Sequence, residues 1–109
     1  MESIDVIKAL SALAHPVRLQ VFRALVVTGS AGLTPGTIAE ALGIPLNTLS
    51  FHLKELTNAG LVRQERASRN IVYRAEYDRM NGVLGYLTEN CCAGAACAVE
   101  ATSSAACGC

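Results

Sequence analysis

Between residues 34 and 60 the chain reads TPGTIAEALGIPLNTLSFHLKELTNAG, two helical patterns separated by a break only three residues long. Thr34 suits the N-cap of the first helix and Pro35 its first turn, where a missing N–H costs nothing. Gly43 stands where a helix ends in a left-handed residue. After the Gly43-Ile44-Pro45 turn, a second helix runs from Leu46 to about Ala59 and stops at Gly60. A short helix, a tight glycine-containing turn and a second helix outline a helix-turn-helix. Beyond Gly60 the period falls from helical to two. LVRQER (61–66) and NIVYRAE (70–76) read as strands joined by a tight connection at Ala67-Ser68, near Arg69 and Asn70. A hairpin directly after the second helix is a wing. The expected fold is therefore mainly α with a β-hairpin wing.

The flanks are helical. Ile4, Ile7, Leu10 and Ala14 recur at helical spacing, with Val6 and Leu13 beside them, until His15-Pro16 ends that helix and begins the next. From Val17 to about Thr28, Leu19, Phe22 and Val26, flanked by Val21 and Leu25, make a core-facing stripe. TGSAGL (28–33) reads as a loop. DRMNGVLGYLTEN (78–90) returns to helix with Met80, Val83, Leu84 and Leu87 on one face, although Gly82 and Gly85 each weaken it by roughly 1 kcal/mol relative to alanine. At 109 residues the chain is a single domain of limited core, so a dimer partner is expected to help stabilise it. The N-terminus does not follow a basic start with an apolar segment, as a signal peptide does. No run approaches the roughly 20 apolar residues of a membrane span. A cytoplasmic protein with reduced thiols is the expectation.

Net charge is zero, yet the charge is sorted. Residues 45–74 carry Lys54, Arg63, Arg66, Arg69 and Arg74 against Glu55 and Glu65, whereas residues 75–109 are net acidic. A local basic stretch is what a phosphate backbone requires. On a helical wheel of 46–56, Leu49, Leu53 and Leu56 cluster on one side with Leu46 at their edge. Asn47, Phe51, Lys54 and Glu55 point away, with Thr48 and Ser50 on the shoulders. Such a face can hydrogen-bond base edges and phosphates when the helix lies in a major groove of double-stranded DNA. Phe51 either contacts DNA, for instance a thymine methyl, or packs against the wing. His52 falls beside the leucine stripe and reads as a structural histidine at the core edge. Arg66 and Arg69 flank the wing tip, placed to reach phosphates or a minor groove.

With those residues in view, the chain resembles the ArsR/SmtB family of bacterial metal-responsive repressors, which are dimeric winged helix-turn-helix proteins. ALSALAHPVRLQVFRAL (9–25) looks like the family's second-helix segment, and IPLNTLSFHLKELTNAGLV (44–62) like its recognition helix and the start of its wing. The likeness spans about residues 5–90. It implies dimerisation through the first and last helices, near 3–14 and 78–90, and release of the operator when a metal or metalloid binds. The chain departs at the wing turn, where Ala67-Ser68 replaces the family's usual glycine.

All five cysteines fall in NCCAGAACAVEATSSAACGC (90–109), a stretch too poor in bulky residues to order itself. The organisation expected is a DNA-binding and dimerisation domain over 1–90 and a flexible, cysteine-rich metalloid-binding tail over 91–109. Of the sensor sites the resemblance brings to mind, a Cys-x-Cys in the first helix of the helix-turn-helix is absent from TIAEAL. A histidine-containing zinc site on the last helix has only Asp78 and Glu89 to draw on. What matches is a subgroup of arsenic repressors with an adjacent cysteine pair past the last helix and a third nearby, here Cys91, Cys92 and Cys97. Soft thiolates select thiophilic ions. As(III) or Sb(III), serving as inducer and not needed for folding, takes three sulfurs on one side of a pyramid, and the short loop from Cys92 to Cys97 closes at little entropic cost. Cys107 and Cys109 stand as accessory donors of undecided role. The alternatives are a repressor responding to a soft divalent metal such as Zn, Cd or Pb, a redox-responsive one, or a thiol-rich metal carrier. An enzyme is not expected: neither histidine has an acid or nucleophile patterned beside it, and no phosphate loop or cofactor motif occurs.

Overall fold

The computed structural model describes residues 1–91, so Cys92, Cys97, Cys107 and Cys109, and the expected flexibility of the tail, lie outside the described residues. The order is α1 (Ser3–Leu13), α2 (Pro16–Thr28), a 3₁₀ turn (Gly29–Ala31), α3 (Pro35–Leu42), α4 (Leu46–Asn58), β1 (Val62–Ala67), β2 (Asn70–Ala75) and α5 (Tyr77–Thr88).

Local chemistry sets the boundaries as expected. Thr34 accepts from the Thr37 N–H at the start of α3, and Gly43 closes it in the left-handed region at φ +67°. His15 caps α2 by accepting the Val17 N–H at Nδ1, 3.1 Å away, ahead of Pro16 at the first helical position. The side chains that these helices turn inwards form one core. Val21, Leu25, Ile38, Leu49, Leu53, Leu56, Leu61 and Val62 are almost wholly buried in it, and truncating such a leucine costs about 2–5 kcal/mol.

The stripe of α2 faces partly differently from the sequence expectation, and the apolar rows of α1 and α5 divide between core and surface. On α1 the core takes Val6, Ala9 and Ala12, whereas Ile4, Ile7 and Leu10 are 68, 61 and 41% exposed. Small residues on the inner face let α1 lie close to α2, α4 and α5, which leaves the larger row outside. On α2 the buried residues are Val21, Phe22 and Leu25, and Leu19 is exposed. In α5, Val83 is buried and Met80 half-buried, while Leu84 and Leu87 face outwards. Asp5 and Arg79, 3.9 Å apart, link α1 to α5.

The wing is an antiparallel pair running from Val62↔Ala75 to Ala67↔Asn70. Its two-residue connection is therefore Ser68-Arg69, one position later than expected, and Ser68 takes the glycine-like φ of +60°. The hairpin does not stand alone. Leu33, from the expected loop, exchanges both backbone hydrogen bonds with Tyr73, at 2.8 and 3.0 Å, and adds a third short pairing to the sheet. Arg74 reinforces this edge by donating from Nε to the Ser30 carbonyl at 2.7 Å. At the other end, the Glu76 N–H donates to the Leu61 carbonyl and the Tyr77 hydroxyl to the Val26 carbonyl, seating the start of α5.

Candidate nucleic-acid interface

The period of α4 divides its side chains cleanly. Leu49, His52, Leu53 and Leu56 are buried, and Asn47, Thr48, Ser50, Phe51 and Lys54 are exposed. Leu46, expected at the edge of the leucine stripe, is 53% exposed at the helix start. No side chain caps α4, whose N-cap is Pro45. Instead Asn47 accepts the Thr48 N–H at Oδ1, 2.9 Å away, which leaves its amide NH₂ directed to other acceptors. Ser50 donates to the Leu46 carbonyl at 3.0 Å and retains its hydroxyl oxygen as an acceptor. A donor amide, an acceptor hydroxyl and the Lys54 ammonium thus lie along one helix face.

Phe51 is 55% exposed, so the wing does not cover it. Its ring meets His52 edge-on at 5.7 Å, and the Arg18 guanidinium lies over it, 5.5 Å from the centroid. On the wing, Arg66 and Arg69 are exposed and make no ion pair among the described residues. Arg63 lies 3.7 Å from Glu76, and Arg74 is bonded to Glu65. Two of the five cations counted in the basic stretch are therefore neutralised locally, and Lys54, Arg66 and Arg69 carry its outward charge.

His52 is the one buried polar side chain among the described residues, at 7% exposure. Its Nδ1 accepts from Arg18 Nε at 3.1 Å, and its ring lies 4.6 Å from that of His15. It is a hydrogen-bonded histidine at the core edge, as its place beside the leucines suggested. Burial, with the neighbouring His15 and Arg18 charges adding to it, holds its pKa below the ordinary value of 6.5. The unfolded chain thus takes up a proton here at a higher pH than the folded one. Stability from this group is full above about pH 6.5 and is lost as the pH falls from there through the lowered folded value. His52→Asn is expected to flatten that part of the profile. Urea denaturation between about pH 7.5 and 5 measures it, and an unchanged slope would contradict the assignment. Arg18 itself was not visible as a site residue in the sequence, because nothing local connects it with positions 51 and 52.

Cys91 is exposed, three residues past the end of α5. Among the described residues no group of three or more His, Cys, Asp or Glu side chains could hold a metal ion, and no single helix is long and apolar enough to cross a membrane.

These features recur in known proteins. A family model described as a helix-turn-helix domain matches residues 13–65. The transcriptional regulator NmtR of Mycobacterium tuberculosis is 42% identical over 70 residues, 63% of this chain and 55% of that protein. An ArsR-like transcriptional regulator from Rhodococcus sp. RHA1 superposes with a TM-score of 0.70 at 25% identity, covering 78% of this chain and 77% of that one. The homodimeric winged helix-turn-helix DNA-binding domain of Mb0332 from Mycobacterium bovis, described as a possible ArsR-family regulator, gives 0.64 at 29% identity over 79% of this chain and 80% of its own. By motif, fold and relatives, the chain belongs to the ArsR/SmtB family of winged helix-turn-helix transcriptional regulators, DNA-binding proteins rather than enzymes.

Proposed function

We propose that this regulator is a cytoplasmic repressor that binds operator DNA as a dimer and leaves it when trivalent arsenic or antimony binds Cys91, Cys92 and Cys97. The observation that carries the reading is the placement of the thiols. Cys91 lies three residues past α5, Cys92 is the next residue, and Leu84 and Leu87 on α5 are exposed, as is the outward row of α1. Those two faces, and the homodimeric state named for the M. bovis relative, support a dimer through α1 and α5.

The donor set suits the inducer. Three soft thiolates in seven residues, with alanine and glycine between them, satisfy a three-coordinate thiophilic centre. Bound there, the metalloid supplies strong bonds to sulfur and nothing else is required of it. Residues 1–90 read DNA: Asn47, Thr48, Ser50, Phe51 and Lys54 in the major groove, Arg66 and Arg69 at phosphates or the adjacent minor groove. Tying the segment after α5 alters the end of a dimer helix and with it the spacing of the two recognition helices. Operator half-sites need those helices about 34 Å apart. A coupling of roughly 1–3 kcal/mol weakens operator binding some 5- to 150-fold.

The test is operator affinity by fluorescence anisotropy under reducing conditions, for wild type and Cys91→Ser/Cys92→Ser/Cys97→Ser, with and without arsenite. Both proteins are expected to bind alike without arsenite, and only wild type to be released by it. Equal responses, or release by zinc or by oxidation but not by arsenite, would replace this inducer with a divalent metal or a disulfide.

A further inference from the structure

We propose that Arg18, on α2, is a positioning residue for operator reading: its guanidinium holds the Phe51 ring of the recognition helix in the orientation that meets DNA. The inference rests on the reading that the outer face of α4 enters the groove. It goes beyond that reading by assigning a role to a residue outside the helix-turn-helix and wing.

The geometry is a relay from the protein interior to its surface. At the junction of α1 and α2, His15 is held by the Val17 N–H, 3.1 Å from its Nδ1. Its ring lies 4.6 Å from that of His52 on the buried side of α4, tilted by 45°. His52 then presents Nδ1 to Arg18 Nε at 3.1 Å. A guanidinium can only donate, so His52 accepts there with its proton on Nε2, and that choice orients the plane of Arg18. The guanidinium carbon lies 5.5 Å from the centre of the Phe51 ring, within the range of a cation–π contact.

An exposed aromatic on a helix ordinarily samples several rotamers, and freezing one on binding opposes association. Phe51 is more than half exposed, yet it has one neighbour over its face and another, His52, at its edge. The ring is therefore arranged before DNA arrives. A surface arginine serving solubility alone has no need of a partly buried bond to a histidine across 34 positions of sequence. Nε is committed to His52, so a phosphate contact would have to come from the terminal nitrogens, and the salt dependence of binding reads that directly.

A double-mutant cycle on the inducer-free, reduced protein tests this, comparing wild type, Arg18→Met, Phe51→Ala and the pair by operator affinity at several salt concentrations. Phe51→Ala is expected to weaken binding about tenfold through its lost base contact. Arg18→Met should weaken it roughly two- to fivefold, with an unchanged salt slope. The double variant should bind no more weakly than Phe51→Ala alone. The proposal is overturned if Arg18→Met adds its full factor on top of Phe51→Ala. It is equally overturned if Arg18→Met shallows the plot of log affinity against log salt by about one, the mark of a lost phosphate contact. If Phe51→Ala alone has no effect, the interface reading itself fails and takes this proposal with it. Arg18→Gln keeps a donor for His52 without the cation, which guards against loss of fold. It should melt like wild type yet bind as weakly as Arg18→Met, and wild-type affinity in that variant sinks the idea.

Discussion

Leu84→Asp is expected to leave the protein monomeric and to weaken operator binding about a hundredfold or more, the factor that joining two binding modules ordinarily supplies. Leu84 is 54% exposed in the protomer, so a carboxylate there meets water and costs the fold little. In a dimer packed through α1 and α5 the same carboxylate is buried within an interface built from exposed apolar side chains of those two helices, such as Ile4, Ile7, Leu10 and Leu87. An unpaired charge in such surroundings costs several kcal/mol. Sedimentation equilibrium reads the association state, circular dichroism the integrity of the protomer, and fluorescence anisotropy the operator affinity. A Leu84→Asp protein that stays dimeric would remove α5 from the interface.

The second large effect is expected at Gly32. Its φ is +69° and its ψ 179°, a region essentially confined to glycine, in which a side chain costs on the order of 1–3 kcal/mol. A Cβ there would lie 2.5 Å from Val72 Cγ1 and 2.7 Å from the Tyr73 carbonyl oxygen. The oxygen is backbone and is bonded to the Leu33 N–H, so it cannot yield without breaking the pairing that anchors the wing. Overpacking of this kind adds about 1–3 kcal/mol. Gly32→Ala should therefore destabilise the protein by about 2–6 kcal/mol and lower its Tm by on the order of 10–20 °C. Gly29→Ala is the control, since it shares a positive φ but has nothing within 4 Å of its Cβ position. A similar Tm loss in both variants would show that backbone strain, not the clash, dominates.

The helix-turn-helix and wing were legible because their punctuation is local. Thr34, Pro35, Gly43 and Gly60 each act within a few residues, and the change of period after Gly60 is carried by consecutive side chains. The outward direction of Asn47, Phe51 and Lys54 followed from the leucine stripe behind them. Periodicity was less informative on α1, where two apolar rows run along one helix. Spacing shows that such rows exist, but only packing decides that Val6 and Ala9 go inside while Ile4 and Ile7 stay out. The pairing of Leu33 with Tyr73 and the bond from Arg18 to His52 join positions 40 and 34 residues apart. No propensity or motif encodes either. The pairing of Arg63 with Glu76 and of Arg74 with Glu65 was hidden for the same reason, since these partners meet only once the hairpin has formed. The thiol site rests on the sequence, apart from the exposed Cys91.

The large apolar row that α1 leaves outside has a consequence for dosage. If two protomers must cover it before either half-site is read, the species that occupies the operator is present in proportion to the square of the chain concentration whenever most chains are single. Halving the supply of regulator then cuts the binding-competent population to about a quarter. Occupancy would respond to the number of chains more steeply than any one-protomer switch allows, before any inducer is present.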